Sequence, residues 1–329
     1  MEDNVLQFIT ALFAAFAVAL AVWPLLRVRG TWSFVGQFIA VAGVCLAPLL
    51  IGSEFIKTRA LCSLVCIDLI FRVCDYGRQS RLGSAQPATW RAYAAFLVPF
   101  PILIDVFGER ERARKWRSFT LLDFARLVGS LACFALVFEF CRRSGEVQLL
   151  RESFLVDHVV KVVLFIFSIE LSSVGLSKLE KLLGYEVIPF NNHAYAAESP
   201  ADFWYRYNQR VRHWLYLNVF ATCGGRRNRT LGVLAVFFIS GLFHEYFFAL
   251  ATSHLDGKQF AFFLLQAPAV LLSPQLKQLA ARNKLGKITA HALTILWFAV
   301  TSPLFFAGVD RVFPFIYASA EAAIGTPIR

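Results

Sequence analysis

The amino-acid sequence predicts an all-α, polytopic integral membrane protein, and its composition and its apolar runs are the observations that predict it. Hydrophobic residues make up 57% of the 329 residues and charged residues 17%, a balance unlike that of a soluble or disordered chain. The apolar runs are continuous, and several reach the ~20 residues that an α-helix needs to cross a bilayer. Strands of a membrane barrel would instead alternate over roughly ten residues, so helices are expected.

The charge indicates which partners to expect, and the cysteines indicate whether disulfides or a structural metal are to be expected. The formal net charge is +11. Loop Lys and Arg in a membrane protein set its orientation and attract anionic headgroups, so we expect membrane lipids and not nucleic acid as partners. The seven cysteines are scattered and mostly lie inside apolar runs, where thiols pack as small hydrophobic groups. Neither a disulfide framework nor a structural metal is therefore expected.

Eight apolar runs are predicted to be transmembrane helices, all within one membrane-embedded domain over residues 1–329. In chain order they are residues 5–26, 32–51, 60–73, 119–141, 155–176, 231–252, 260–276 and 288–307. Acidic residues precede the first run, so it is expected to remain as a span and not to be cleaved as a signal. Two runs contain an acid and an arginine one helical turn apart: Asp68 with Arg72, and Asp123 with Arg126. We expect structural ion pairs there, because charges inside a membrane need partners.

Two further segments are predicted to associate with the membrane without crossing it. Residues 92–107 contain Pro99 and Pro101, which break helical hydrogen bonding, and basic residues flank both ends, so a re-entrant or interfacial segment is expected. Residues 202–220 are amphipathic at helical spacing, as is typical of a helix in the membrane interface. One side holds Phe203, Trp204, Tyr207, Val211, Trp214 and Leu215, and the other holds Arg206, Arg210 and His213.

Charge bias between the loops sets the expected orientation. Placing the most basic loops in the cytoplasm satisfies the positive-inside rule with eight spans. The segment that contains Asn208 then lies on the cytoplasmic side, and both termini lie on the opposite side. Arg142 and Arg143 are the exception that this arrangement leaves outside.

An imidazole and a carboxylate, His244 and Glu245, lie near the middle of the predicted span at residues 231–252. Ionisable groups at that depth are costly, so the default interpretation is functional. The alternative is a histidine hydrogen-bonded to a neighbouring helix. A zinc-protease helix of the H-E-x-x-H type would need a second histidine at position 248, which is Phe248. Ser240, one turn before His244, leaves room for a substrate chain or for a close helix neighbour.

Two elements of the chain carry a family resemblance. Residues 202–208 read Asp-Phe-Trp-Tyr-Arg-Tyr-Asn, and residues 240–246 read Ser-Gly-Leu-Phe-His-Glu-Tyr, with a basic turn between them. The first is similar to the D-F-W-x-R-x-N/H element of plant-type wax synthases and to the F-Y-x-D-W-W-N element of diacylglycerol and sterol acyltransferases. The second is similar to the S-A-x-x-H-E-Y box of the same enzymes. The ordered pair resembles the membrane-bound O-acyltransferase superfamily, closest to its wax synthase-like branch.

The resemblance implies an acyltransferase domain that takes acyl-coenzyme A as co-substrate, needs no other cofactor, and esterifies a lipophilic alcohol to a wax-type ester. It implies His244 and Asn208 as catalytic residues. A buried neutral histidine can take the hydroxyl proton as the alcohol attacks the thioester. The Asn208 amide can donate to a carbonyl oxygen that gains negative charge. The candidate substrate-binding residues are Trp204, Tyr207, Ser240, Arg206 and Arg210, of which the two arginines suit coenzyme A phosphates.

Three alternatives follow from the same residues. A sterol, a diacylglycerol or another lipophilic hydroxyl compound could replace the simple alcohol. A relative could use another acyl carrier or transfer another group, because function resides in the site and not in the fold. A non-enzymatic transporter would instead line a polar path with the charged residues of the spans, although the internal repeat of many transporters is not visible.

Overall fold

The computed structural model describes residues 2–28, 30–83, 89–102, 119–144, 147–185 and 187–312, and every regular element in these ranges is helical. The helices are α1 (Glu2–Ala21), α2 (Trp23–Arg27), α3 (Thr31–Leu46), α4 (Ile56–Leu82), α5 (Trp90–Leu97), α6 (Leu121–Ser144), α7 (Gln148–Glu152), α8 (Phe154–Leu182), α9 (Pro200–Arg206), α10 (Gln209–Leu215), α11 (Arg229–Thr252), α12 (Lys258–Leu271), α13 (Ser273–Arg282) and α14 (Lys284–Val312). A π turn, Tyr216–Phe220, follows α10. The predicted all-α class is confirmed.

Several helices are long and apolar enough to cross a membrane, so the chain is a polytopic membrane protein. In the described ranges they are Asp3–Arg27, Thr31–Leu50, Leu121–Phe140, Phe154–Leu182, Arg229–Thr252 and Lys284–Val312. The pair α12 and α13, bent by 49°, adds a seventh if it forms one broken span. Pro274 at the start of α13 lacks the N–H that a continuous helix would use there. The predicted number of eight spans is not confirmed.

The predicted short span at residues 60–73 is part of a longer helix, α4. This helix continues through the first part of the polar stretch that was expected to end it, and Gly83 ends it in a left-handed conformation with φ 69°. Charged residues occur along its whole length, so it does not have the composition of a lipid-facing span.

The contacts of Arg72 show how a charged side chain of α4 is stabilised inside the protein. Its guanidinium is buried and makes three hydrogen bonds. Nε donates to Asp68 Oδ2 at 2.7 Å, Nη1 donates to the Phe96 carbonyl oxygen at 2.9 Å, and Nη2 donates to the Pro101 carbonyl oxygen at 2.8 Å. A buried charge is tolerated when it is both paired and hydrogen-bonded in this way. The predicted Asp68–Arg72 pair is confirmed.

The predicted re-entrant segment at residues 92–107 is described only in part. Its helix, α5, ends at Leu97, two residues before Pro99, as the missing proline N–H requires. Residues 103–107, the cations at 110–117 and the last residues, 313–329, lie outside the described ranges, so the expectations for them are not tested.

The chain forms two compact units, each built from two separate stretches. The first unit comprises Met1–Lys115 and His213–Asp256, and the second comprises Trp116–Arg212 and Gly257–Arg329. In the first unit Ala11, Ala15 and Ala19 are fully buried, and their four-residue spacing gives α1 one face of small residues. Neighbouring helices can approach such a face closely.

In the second unit α6 packs against α8, and an ion-pair cluster joins one end of each helix. Asp123 accepts hydrogen bonds from Lys178 Nζ at 2.7 Å and from Lys181 Nζ at 2.5 Å. The predicted partner, Arg126, is exposed on the same helix. The predicted Asp123–Arg126 pair is therefore wrong, because two lysines from the last turns of α8 take its place.

Candidate active site

The amphipathic segment predicted as one helix over residues 202–220 is broken in the middle. α9 ends at Arg206, and Asn208 adopts a left-handed backbone with φ 41° before α10 begins. Asn208 Oδ1 accepts a hydrogen bond from the Val211 N–H at 3.3 Å, so Asn208 caps the first turn of α10. Asparagine is one of the few residues other than glycine that tolerate this conformation. The prediction of a continuous interfacial helix is therefore wrong.

Asn191 holds the Asn208 turn in place. The Asn208 N–H donates to Asn191 Oδ1 at 2.8 Å. Asn191 is itself anchored to α8, because its Nδ2 donates to the Ile169 carbonyl oxygen at 3.1 Å and its N–H donates to Ser173 Oγ at 2.9 Å. Backbone hydrogen bonds of 2.6 and 3.0 Å on either side join the same two segments. The position of Asn208 is thus set by α8 as well as by its own helix.

The two arginines predicted to bind phosphate have acidic partners within the fold. Arg210 is buried and donates from Nη1 and Nη2 to the two carboxylate oxygens of Glu180 at 2.8 and 2.6 Å, and its guanidinium lies 4.1 Å from the centroid of the Phe190 ring. Arg206 is partly exposed and pairs with Asp202 at 3.0 Å. The geometry of Arg210 favours a role in holding the turn over contact with a phosphate.

Two cavities flank the Asn208 turn in the second unit. The smaller, of about 250 Å³, is lined by Ile169, Ser172, Ser173, Leu176, Phe190, Asn191, Tyr207 and Asn208. The larger, of about 740 Å³, has mainly aromatic walls, formed by Phe165, Phe167, Phe203, Trp204, Tyr207, Phe262, Phe263, Phe298, Phe305 and Phe306. An aromatic space and a smaller space with more polar side chains in its lining therefore lie next to the same turn.

Trp204 and Tyr207, predicted to bind substrate, both lie in the wall of the large cavity. The Trp204 ring packs against Phe263 and Phe298, with centroids 5.6 and 6.1 Å apart. The Tyr207 ring stacks on Phe203 at 5.4 Å. Burial raises the pKa of Tyr207 to about 12, so its hydroxyl stays protonated at neutral pH.

Polar groups that were not among the predicted site residues interrupt the apolar lining. Glu170 lines the large cavity, and its Oε1 accepts from the Ala194 N–H at 2.8 Å. His193 also lines it, and its Nδ1 lies 3.2 Å from the Tyr195 hydroxyl, a contact in which either group can donate. The position of Glu170, an acidic residue inside an apolar run, could have indicated a functional residue. His193 lies in a loop, where a histidine gives no such indication.

His244 lies in the first unit, on α11. Its Nδ1 is 2.9 Å from the Ser240 carbonyl oxygen. A carbonyl can only accept, so Nδ1 carries the proton and donates. The next residue back, Phe243, packs edge-on against Phe71 with centroids 5.1 Å apart, and Tyr246 donates from its hydroxyl to the Cys45 carbonyl oxygen at 3.2 Å. These contacts fix the rotation of α11.

The predicted site residues divide between the units. Ser240 and His244 belong to the first unit, and Asn208 belongs to the second with the four remaining candidates. Glu245 is buried beside His244 on α11. Within the described ranges, no three His, Cys, Asp or Glu side chains gather in a way that could hold a metal ion.

One segment that includes both predicted catalytic residues matches a known family. Residues 161–304 match the model of MBOAT, the membrane-bound O-acyltransferase family. The segment is MBOAT-like. It contains His244, Asn208 and most of the lining of the large cavity, and it covers somewhat less than half of the chain. The match supports the MBOAT superfamily and membrane O-acyltransferase activity. A comparison with curated proteins finds no match to the chain.

Proposed function

We propose that the chain is an acyl-coenzyme A-dependent O-acyltransferase of the wax synthase-like branch that esterifies a lipophilic alcohol. The observation that carries the proposal is the imidazole of His244, whose Nδ1–H donates to the Ser240 carbonyl oxygen at 2.9 Å. That hydrogen bond keeps the proton on Nδ1 and makes Nε2 the basic nitrogen of the neutral ring. The MBOAT match supplies the reaction class in which such a base would serve.

In the proposed reaction His244 Nε2 accepts the hydroxyl proton while the alcohol oxygen attacks the thioester carbonyl. The C–O bond forms, the C–S bond breaks, and the imidazolium returns the proton to the departing coenzyme A thiolate. Asn208 donates a hydrogen bond from Nδ2 to the carbonyl oxygen as that oxygen gains negative charge. The proton taken from the alcohol is the one returned to the thiolate, so the reaction balances without a covalent acyl-enzyme.

The large cavity of the second unit is the proposed site of the lipophilic acceptor. Its volume of about 740 Å³ falls in the ~300–1,000 Å³ range of small-molecule sites. In the otherwise apolar lining Glu170 supplies a hydrogen-bond acceptor, and the His193 imidazole can donate or accept. This pair suits a hydroxyl group, because a hydroxyl both donates and accepts. A sterol or a diacylglycerol is the alternative acceptor, and the experiment below includes both.

Exposed cations are the proposed partners of the coenzyme A phosphates. A guanidinium matches the geometry of a phosphate and remains charged at all relevant pH values. Arg206 is partly exposed, and three more arginines are exposed at the start of α11 and in the turn before it: Arg226, Arg227 and Arg229. We assign Arg210 to holding the Asn208 turn, because its charge is already paired inside the fold. The proposal places these cations in the cytoplasm, with both termini on the opposite side.

The proposal is tested with purified full-length protein in lipid nanodiscs, labelled acyl-coenzyme A and a panel of acceptors. The panel contains fatty alcohols, a sterol and a diacylglycerol. Release of free coenzyme A should depend on an added acceptor and be largest with fatty alcohols. His244→Ala should lower this turnover by about 10²–10⁴-fold, the usual contribution of general base catalysis. Size-exclusion chromatography reports whether the variant folds.

His254→Ala is the matched control. His254 is exposed just beyond the end of α11, so its removal should leave turnover unchanged. Full turnover by the His244→Ala variant would overturn the assignment of the base. If no acceptor stimulates coenzyme A release in the wild-type protein, the enzyme proposal fails and transport becomes the better explanation.

A further inference from the structure

The large cavity of the second unit has polar groups at two separate places in its mainly aromatic lining. At one place lie Glu170 and His193, the pair proposed above to bind the acceptor hydroxyl. This place is next to the Asn208 turn, because the preceding residue, Ile169, accepts the hydrogen bond that anchors Asn191. At the other place the hydroxyl of Ser302, on α14, lines the cavity. The proposed function gives Ser302 no role.

His158 shows how far apart the two polar places are. Its Nε2 lies 3.1 Å from Ser302 Oγ, so His158 marks the level of Ser302 on α8. Glu170 follows on the same helix, and the residues between the two correspond to about 18 Å of α-helix. One small functional group cannot contact both places, whereas an elongated molecule can.

The hydrogen bonds of Ser302 leave its hydroxyl proton available to a ligand. His158 Nε2 is 2.8 Å from the Ala299 carbonyl oxygen, and a carbonyl can only accept, so Nε2 carries a proton and donates. Nε2 therefore cannot accept from Ser302. The Ser302 hydroxyl faces the same carbonyl oxygen at 3.4 Å, which is longer than the ~2.5–3.0 Å of an ordinary O–H···O hydrogen bond. Turning this proton to a ligand oxygen gives up little.

Thr294 gives a comparison within the same lining. It also lies on α14 and lines the large cavity. Its hydroxyl donates to the Ala290 carbonyl oxygen at 2.8 Å, an ordinary hydrogen-bond distance, so its proton is already used. Of these two α14 hydroxyls, Ser302 has the proton that a ligand can take more easily.

Aromatic contacts hold the His158 imidazole beside Ser302. The His158 ring is buried, stacks on Phe154 with centroids 5.6 Å apart, and meets Phe306 edge to face at 5.8 Å. The Nε2–H is thus fixed next to Ser302 Oγ. This place in the cavity is polar although the surrounding walls are aromatic.

We infer that the large cavity binds an elongated lipophilic molecule with an oxygen at each end, and that Ser302 donates a hydrogen bond to the second oxygen. The first oxygen is the reacting hydroxyl at Glu170 and His193. A simple fatty alcohol would place a methyl end against Ser302 and would not make the second hydrogen bond. The reactive role of the first hydroxyl rests on the proposed function, whereas the second contact rests on the cavity itself.

The second contact is tested by binding, which needs no turnover. Full-length protein in nanodiscs is labelled with an alkane diol that has a hydroxyl at each end and a photoreactive diazirine at mid-chain. Labelled residues are mapped by mass spectrometry, and the large cavity, including Phe298, should be labelled. Unlabelled diols of increasing length, and alcohols of the same lengths, then compete with the probe.

Ser302→Ala should weaken competition by the diol of matching length about 3- to 10-fold, the value of one hydrogen bond. Competition by the alcohol of the same length should not change. Each competitor is compared with itself in the wild type and in the variant, so its partition into the bilayer cancels.

Thr294→Val is the matched control, because it removes a hydroxyl from the same helix and the same lining. Its effect should be equal for diol and alcohol. Equal weakening of both competitors by Ser302→Ala would show a structural role for Ser302 and overturn the inference. So would an unchanged affinity for diols of every length, a selective loss in Thr294→Val as large as that in Ser302→Ala, or no labelling of the cavity in the wild type.

Turnover separates this inference from the proposed function. The diol of matching length should give a higher kcat/KM than the alcohol of that length, and Ser302→Ala should remove the difference. An active Ser302→Ala variant that keeps the full preference would overturn the inference. If the wild-type protein turns over neither compound, the proposed function fails by that result, while the competition data still decide whether Ser302 binds the second oxygen.

Discussion

Asn191 shows how a residue outside both motifs controls one inside them. Its carboxamide is used from both ends: Oδ1 accepts from the Asn208 N–H at 2.8 Å, and Nδ2 donates to the Ile169 carbonyl oxygen at 3.1 Å. The left-handed backbone of Asn208 is uncommon for residues other than glycine, although asparagine tolerates it. Asn191 is the neighbour that stabilises it.

Asn191→Ala should therefore impair catalysis more than binding. Without the acceptor the Asn208 turn can shift, and a displacement of about 1 Å in a reacting group can cost roughly 100-fold in rate. If Asn208 acts on the thioester as proposed, kcat should fall by about 10- to 100-fold while KM for the alcohol changes little. Steady-state kinetics on the nanodisc protein measure both quantities.

Asn192→Ala is the control for this prediction. Asn192 is exposed, and its contact with the Asn208 turn is a backbone hydrogen bond to the Arg206 carbonyl oxygen, so the substitution should leave kcat unchanged. A rise in KM with an unchanged kcat for Asn191→Ala would show that Asn191 contributes to acceptor binding and does not position Asn208.

At the residue scale, the sequence allowed some contacts to be predicted and concealed others. Asp68 and Arg72 form the expected pair because both lie on one helix at fixed spacing. Asp123 does not pair with Arg126, because the competing lysines come from α8, and a local pattern does not contain the neighbour of a helix. Glu170 and His193 both line the large cavity. The sequence did not predict this, because a local pattern does not show which elements lie next to each other.

The ion pair between Glu180 and Arg210 joins the end of α8 to α10. Both side chains are buried, and a buried charge without its partner costs about 3–5 kcal/mol. Arg210→Ala should therefore lower the thermal unfolding temperature in detergent strongly, and Glu180→Ala should do so too. Replacing both residues together, Glu180→Leu with Arg210→Met, should recover much of the loss, because no lone charge remains.

Arg206→Ala is the comparison for that prediction. Its pair with Asp202 is partly exposed, and such pairs contribute at most about 1 kcal/mol, so the unfolding temperature should hardly change. Equal unfolding temperatures for Arg206→Ala and Arg210→Ala would contradict a structural role for Arg210. Scanning fluorimetry on the purified variants gives the measurement.

Gly232 has no side chain, which allows the π turn Tyr216–Phe220 to pack closely against the start of α11. A Cβ at position 232 would lie 2.5 Å from Phe220 Cε2 and 2.6 Å from the Gly225 Cα, much closer than packed atoms allow. Gly232→Ala should therefore destabilise the first unit by about 1–3 kcal/mol, the usual cost of overpacking. It should also lower turnover, since the basic turn and the helix of His244 meet there.

Gly129→Ala provides the matched glycine. Gly129 is also inside a candidate span, but a Cβ there would meet no heavy atom within 4 Å. Alanine is favoured over glycine inside a helix by about 0.5–1 kcal/mol, so this variant should be as stable as the wild type or slightly more stable. A stable Gly232→Ala variant would show that the π turn can move away from α11.

At the element scale, periodicity identified helices better than it identified their ends. The segment at residues 202–220 has a continuous amphipathic pattern, yet Asn208 divides it. The hydrogen bond that the Asn208 N–H donates to Asn191 Oδ1 outweighs local helix propensity. α4 shows the opposite error: its polar residues were expected to end the helix, but burial against partners lets the helix continue to Leu82.

At the scale of the whole molecule, the fold class followed from composition and run length, whereas the division into units did not. Residues 213–256 belong with the N-terminal helices, and the segments on both sides of them belong to the second unit. Such grouping depends on contacts between residues far apart in the chain. The single domain expected over residues 1–329 stays a prediction, and each unit joins two stretches that are separate in the sequence.

The interleaving sets an order on the synthesis of the protein. The Phe71 carbonyl oxygen accepts a hydrogen bond from Trp214 Nε1 at 2.9 Å, and the Trp214 ring stacks on Phe71 at 4.1 Å, although 143 positions separate the two residues. A ribosome must therefore make the whole first stretch of the second unit, Trp116–Arg212, before the indole that covers Phe71 exists. The N-terminal helices of the first unit are therefore made before α11, the last helix of the same unit. His244 lies on α11, so it is synthesised only when the last helix of the first unit is made.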